Sequence, residues 1–191
     1  MNDPHAWLLA ALWLAWAAYW ALSAADVKPA ARRESLGSRA LHIVPLAAAV
    51  LLILPRGAAL PMLGARFVPR GEAGYWIGAA CTLAGLLFAM QARRRLGRNW
   101  SGTVTVKEGH ELVTSGPYRF VRHPIYTGLL GAFLGSAIAL GEWRGLVATA
   151  LVLLSFLRKI RLEERWMHER FGDAWARYRA RVPALVPGLR P

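Results

Sequence analysis

Between Gly109 and Tyr126 the chain reads Gly-His-Glu-Leu-Val-Thr-Ser-Gly-Pro-Tyr-Arg-Phe-Val-Arg-His-Pro-Ile-Tyr, and a Glu163-Glu164 pair follows in the last third. The first stretch sets two histidines, two arginines and two tyrosines against an uncharged run, Ile125 to Gly141. Ionisable groups held where a membrane helix begins are costly, and they usually serve a ligand. Arg119 and Arg122, together with the amides of a helix opening at Pro124, form a cradle for a carboxylate or phosphate. Tyr118 and Tyr126 add hydroxyls and flat faces. Glu163 or Glu164, turned towards the same cleft, would hold an ammonium group or a ribose diol. On their own helix surface they pair equally well with Arg158, Lys159, Arg161 and Arg165. A cofactor with both carboxylate and ammonium ends needs this combination of cationic mouth and anionic wall. His110, Glu111, Leu112 and Val113 form a short apolar strand that can offer backbone groups to a flat heterocycle.

The elements that must position these residues are hydrophobic spans. The chain is 55% hydrophobic and 18% charged. Trp7–Ala25 and Ala73–Ala92 lack any charge and are long enough to cross a hydrocarbon layer of about 30 Å. Leu41–Pro55 is shorter, with Arg39 and Arg56 placed to snorkel at its ends. Ile125–Gly141 and Gly145–Leu157 are divided by Gly141-Glu-Trp-Arg144, the mark of a tight helical hairpin. The expected fold is all-α and polytopic, with about five membrane helices. Pro124 suits the first turn of the fourth helix. The last helix continues past the membrane to Phe171, Gly172 ends it, and Ala174–Arg181 makes a short amphipathic helix that starts at Asp173 and stops before Pro183.

Charge sets the orientation. Of the 24 Lys and Arg residues, 20 fall in loop 26–40, loop 92–124 and the tail after Leu157, on alternate sides of a five-span chain. The positive-inside rule then places the N-terminus outside and the candidate site in the cytoplasm of an integral membrane protein. Basic loops at headgroup level would attract anionic membrane lipids. The +13 net charge has no reading element to go with it, so nucleic acid is not an expected partner. Ser23-Ala24-Ala25 looks like a signal cleavage site, but no Lys or Arg precedes the first span. An excess of arginine over lysine (21 to 3) points to a bacterial inner membrane.

Residues 1–92 read as a three-span scaffold, integrated with a chemistry-bearing part, 93–191. Trp7, Trp13, Trp16, Tyr19 and Trp20 are expected at the membrane interface and facing lipid. Gly78, Ala79, Ala80, Ala84 and Gly85 would let the third span pack closely. Cys81, the single cysteine, is expected as a small packing residue. It provides no thiolate cluster, and no zinc spacing is present, so no metal is expected. His42 is expected to be a helix contact. Trp175, Tyr178 and Val182–Pro187 would anchor the tail at the membrane surface or close over the cleft.

Leu112-Val-Thr-Ser-Gly-Pro-Tyr118, Arg122-His-Pro-Ile-Tyr-Thr-Gly128, Glu163-Glu164, Phe171-Gly172, Tyr178 and Arg181-Val-Pro183 together resemble the isoprenylcysteine carboxyl methyltransferase family. The membrane phospholipid N-methyltransferases share this C-terminal pattern. The resemblance covers about Leu96–Gly188. It implies an S-adenosyl-L-methionine pocket enclosed by the last two helices, their cytoplasmic extensions and the tail. His110, Glu111, Leu112, Val113 and Tyr118 would border the cofactor. His123, Pro124, Ile125 and Tyr126 would line the same pocket, and Glu163 or Glu164 would supply a carboxylate. Arg122 and Glu163 are the implied catalytic residues. The basic position one turn before that glutamate, which helps with substrate in the prenylcysteine enzymes, is held by Lys159, with Arg158 adjacent. The implied substrate is lipophilic, either a prenylcysteine-like carboxylate or a phospholipid amine. Membrane sterol reductases, which use NADPH, share the Arg-His-Pro-x-Tyr helix mouth, but they are longer and have more spans.

Overall fold

The computed structural model describes residues 6–24, 30–54, 62–69, 71–100, 105–107 and 111–189. Its apolar runs form helices α1 (Ala6–Ser23), α2 (Leu36–Ile53), α3 (Glu72–Leu96) and α4 (Pro124–Leu140), followed by α5 (Trp143–Phe171) and α6 (Asp173–Arg181). The helical expectation holds, with one addition. Strands β1 (Ala30–Arg33) and β2 (Thr105–Lys107) pair antiparallel and tie the first basic loop to the third. Helices α2 and α3 are long and apolar enough to cross a membrane, while Trp7–Ser23 and Pro124–Leu140 are shorter apolar helices.

Local chemistry sets the helix ends. Ser35 caps α2 by accepting from the Ser38 amide at 3.3 Å. Helix α4 opens on Pro124, whose missing N–H costs nothing there, and ends at Gly141 with φ +66°. Gly172 (φ +50°) separates α5 from α6, so Asp173 is the first residue inside α6 instead of its cap. Across the α4–α5 turn, Arg144 donates to the carbonyls of Leu52 and Leu54 at the end of α2.

Glycine brings α3 and α4 together. A Cβ on Gly78 would lie 2.5 Å from the Gly135 carbonyl, and one on Gly85 would lie 2.4 Å from that of Gly128. At this seam Thr82 Oγ1 and Ser136 Oγ are 3.2 Å apart, and Trp13 Nε1 on α1 donates to Ser136 Oγ at 3.0 Å. Trp13, Trp16 and Trp20 therefore depart from the lipid-facing expectation, while Trp7 stays exposed. Trp13 meets the Phe133 ring edge-on, and Trp16, Trp20 and Trp100 continue an aromatic row inward. The inward side of an apolar helix takes its bulkiest rings where the neighbour is a glycine seam. Ala80, Ala84 and Cys81 lie exposed on the outer side of α3, so they are not packing residues.

A carboxylate joint between the start of α4 and the C-terminal half of α5

The loop before α4 makes a short 3₁₀ turn at Gly116–Arg119, with Pro117 and Tyr118 buried. Arg122 and His123 follow in non-helical conformation, and Tyr126 points from the first turn of α4 towards α5. Opposite them, α5 has already left its apolar stretch and presents Glu163 and Glu164. Consecutive helical residues diverge by about 100°, so the two carboxylates meet different partners.

Glu164 is enclosed. Its Oε1 accepts from Arg122 Nε at 2.9 Å and Nη2 at 2.8 Å, and from His123 Nε2 at 3.1 Å. Arg179 on α6 approaches the other oxygen at 3.5 Å. Glu163 has more open surface, with a side chain 25% exposed against 11% for Glu164. It accepts from the Tyr126 hydroxyl at 2.5 Å and lies 3.5 Å from His123 Nδ1. His123 thus bridges the two carboxylates while stacking on Tyr126, which in turn stacks on Phe156. Lys159 sits over the Tyr126 ring, with Nζ 5.3 Å from its centre.

The electrostatics follow from this clustering. Burial pushes His123 towards the neutral form, but hydrogen bonds to Glu163 and Glu164 outweigh it and raise its pKa above the usual histidine value. Burial likewise opposes ionisation of Glu163 and Glu164, yet His123, Lys159 and Tyr126 for the first, and His123 and Arg122 for the second, hold both below the ordinary carboxylate range. The joint is a mutually stabilised set of charges.

The tail covers this joint. The Arg122 amide donates to the Pro183 carbonyl at 2.8 Å and the His123 amide to that of Ala184 at 3.0 Å. Arg122 Nη1 donates to the carbonyls of Arg179 and Val182. Thr127 Oγ1 reaches the Leu185 carbonyl at 2.7 Å. Of the expected anion cradle, the Arg122 guanidinium is therefore taken by Glu164 and the tail, and Arg119 lies over the Phe120 ring. Trp175 and Tyr178 are buried in protein instead of lying on a membrane surface, and the Tyr178 hydroxyl donates to the Tyr118 carbonyl at 2.6 Å. Burial pushes the pKa of the Tyr118 and Tyr178 phenols up, so both stay neutral.

Tyr118, Arg122, His123, Pro124, Ile125, Tyr126, Lys159, Glu163 and Glu164 thus come together. Arg158 points elsewhere, to Ser38 on α2. Glu111–Val113 have no regular structure, so the expected strand does not form; Leu112 and Val113 are half-buried, and Val113 packs on the core. His110 lies outside the described residues. Glu34 and Ser38 were missed by sequence reading. Their only signal was a spacing of eight and four residues ahead of His42.

Residues 73–174, just over half the chain, match the family model described as phospholipid methyltransferase. The chain belongs to that family. The motif resemblance to isoprenylcysteine methyltransferases within this family is borne out. A protein-S-isoprenylcysteine O-methyltransferase of Schizosaccharomyces pombe is 37% identical over 94 residues, 48% of this chain and 40% of that protein. Protein-S-isoprenylcysteine O-methyltransferase B of Arabidopsis thaliana is 31% identical over 127 residues, 63% of this chain and 64% of its own length. The chain therefore spans roughly half the length of the curated relatives it matches. The solved structure of the eukaryotic intramembrane Ras methyltransferase ICMT superposes with a TM-score of 0.53 and 22% identity, covering 84% of this chain and 55% of that one, which shows a shared fold.

Proposed function

We propose that this chain is an integral membrane methyltransferase that moves a methyl group from S-adenosyl-L-methionine to a lipophilic acceptor. The observation that carries the reading is the Glu163–Tyr126–His123 arrangement at the cytoplasmic end of α4 and α5, within the span matched by the family. The donor supplies an electrophilic methyl on a sulfonium. Transfer of such a group is an in-line displacement that depends on alignment and exclusion of water more than on acid–base chemistry.

The residues fit a donor with cationic and hydroxyl-bearing parts. Glu163 is the more open carboxylate, ionised and fixed in direction by Tyr126, so it can accept from a ribose hydroxyl or an ammonium. On this reading Glu111, Leu112, Val113 and Tyr118 would border the donor from the preceding loop, and His123, Pro124, Ile125 and Tyr126 from the mouth of α4. Glu164 and Arg122 act by clamping the joint, and Lys159 sits on the acceptor side. Helix α6 and the tail exclude water.

Five membrane spans, with the N-terminus outside and the joint cytoplasmic, fit this chemistry. Leu14, Leu22, Leu41, Val44, Leu87 and Leu154 are all exposed on the helices, an apolar surface that lipid would cover. A lipid acceptor would enter sideways while the polar donor arrives from water. A prenylcysteine-like carboxylate, as the relatives' names state for those proteins, and a phospholipid amine both suit the family.

The test is thermal stabilisation of purified protein by S-adenosylhomocysteine, since a ligand of the folded state raises the melting point. Stabilisation by NADPH in its place would overturn the reading in favour of a membrane reductase.

A further inference from the structure

The start of α2 carries a second polar group. Glu34, just before the Ser35 cap of α2, and Ser38 and His42 in its first two turns stand at successive four-residue intervals. The Glu34 side chain is 2% exposed and that of His42 5%. Glu34 Oε1 accepts from Ser38 Oγ at 2.5 Å and lies 3.6 Å from His42 Nδ1. Glu34 Oε2 is buried without any partner, as is Arg158 Nε across from it on α5. The face is pinned to α5, because Ser155 Oγ donates to the His42 carbonyl at 2.7 Å and Arg158 Nη2 to Ser38 Oγ at 2.9 Å.

This face borders the joint. His42 is within electrostatic reach of Lys159 and Glu163, and Glu34 within that of Tyr126. The groups facing Glu34 are therefore Ser38 and His42 on α2, Arg158, Lys159 and Glu163 on α5, and Tyr126 on α4. A carboxylate acceptor has no proton to give the open Glu34 oxygen, whereas an amine N–H or a thiol S–H does. A buried carboxylate oxygen without a donor is costly unless a ligand supplies one.

The joint itself is badly suited to receive a proton. His123 is biased to carry one already, and Glu163 and Glu164 are weak bases.

On the methyltransferase reading above, we propose that Glu34 is the proton acceptor of the reaction and that the methyl acceptor is a lipophilic amine or thiol, not a carboxylate. The nucleophile's lone pair forms the new N–CH₃ or S–CH₃ bond. The C–S bond of a sulfonium donor breaks and leaves its electron pair on sulfur as a neutral thioether. The N–H or S–H proton passes to Glu34 Oε2 and later to water. Ser38 is a positioning residue that donates to Oε1 and leaves Oε2 for the substrate, with His42 Nδ1 3.6 Å from Oε1.

The experiment uses the full chain in lipid nanodiscs, loaded with S-adenosylhomocysteine, with hexadecylamine, hexadecanethiol and hexadecanoate as probes. The amine or the thiol should stabilise the loaded protein more than the carboxylate, and with the methyl donor should be the one methylated. Glu34→Gln should abolish that preference and lower kcat by about 100-fold or more, while stabilisation by S-adenosylhomocysteine is retained. Glu34→Asp should restore part of the rate. Equal or absent shifts across the probes, preferred methylation of hexadecanoate, or an unimpaired Glu34→Gln enzyme each overturn the proposal. The wild-type ranking decides even if the variant fails to fold. Failure of S-adenosylhomocysteine to stabilise the wild type appears before any acceptor is added and defeats the underlying methyl-transfer reading instead.

Discussion

Arg122 places two guanidinium nitrogens on a single oxygen of Glu164, Nε at 2.9 Å and Nη2 at 2.8 Å, while Nη1 holds the carbonyls of Arg179 and Val182. One side chain thus joins the mouth of α4, the extension of α5, and α6 with its tail. Removing one partner of a buried pair leaves the other charge uncompensated, at about 3–5 kcal/mol. Arg122→Ala is expected to lower stability by about 3 kcal/mol and to expose the tail to protease. Chemical denaturation and limited proteolysis check this, and a tail cleaved no faster than in wild type would show that the clasp does not hold it.

The two glutamates should separate by readout. Glu163 is the more open and bonds Tyr126, whereas Glu164 serves Arg122 and His123. A charge-assisted hydrogen bond contributes about 1.5–3 kcal/mol, so Glu163→Gln should weaken S-adenosylhomocysteine binding about tenfold or more, with a smaller fall in melting temperature than Glu164→Gln. Glu164→Gln should mainly lower the melting temperature. Calorimetric titration beside thermal unfolding tests the pair, and a reversed pattern would make Glu164 the donor's carboxylate.

The joint also sets a pH window. His123 has its pKa raised in the folded state, so its contribution is complete below the ordinary value of 6.5 and is lost as pH rises through the raised value. Glu163 and Glu164 have theirs lowered, so their contribution is complete above the ordinary 4.5 and is lost as pH falls through the folded values. Melting temperature should therefore be highest between those limits and decline on both sides. His123→Asn should flatten the alkaline decline, and an unchanged alkaline slope in that variant would assign it to another group.

The sequence made the helices legible because charge-free runs of membrane length admit few alternatives, and Pro124, Gly141 and Gly172 punctuate them. It also marked His123 and Tyr126 as a polar cluster at a helix mouth, costly without a use, but left open whether Glu163 and Glu164 face that cluster or pair with arginines on their own helix. What it hid depends on direction around a helix axis. Trp13 could face lipid or protein, and only the glycine seam of α3 and α4 turns it inward to Ser136. Arg122 could meet a ligand or the tail, and that choice rests on how the residues after Gly172 return. Glu34 stood in a loop whose basic neighbours drowned its signal, until α5 packed against α2 and buried it.

The α3–α4 seam gives the sharpest contrast for mutation. A Cβ at Gly85 would lie 2.4 Å from the Gly128 carbonyl and 2.6 Å from the Ala132 amide. A Cβ at Gly128 would return the clash, 2.5 Å from the Gly85 carbonyl. These neighbours are backbone, so no rotamer change relieves the overlap and the helices must move apart. Gly131, by comparison, has its nearest such neighbour at 3.9 Å, ordinary contact. Gly85→Ala and Gly128→Ala should each destabilise by about 1–3 kcal/mol, the cost of overpacking, while Gly131→Ala should be neutral or slightly stabilising through its better helix propensity. Since α4 carries Tyr126 to Glu163, the first two variants should also weaken S-adenosylhomocysteine binding and the third should not. Melting curves with and without that ligand test the set, and equal behaviour of all three variants would mean that the two helices are not in close backbone contact.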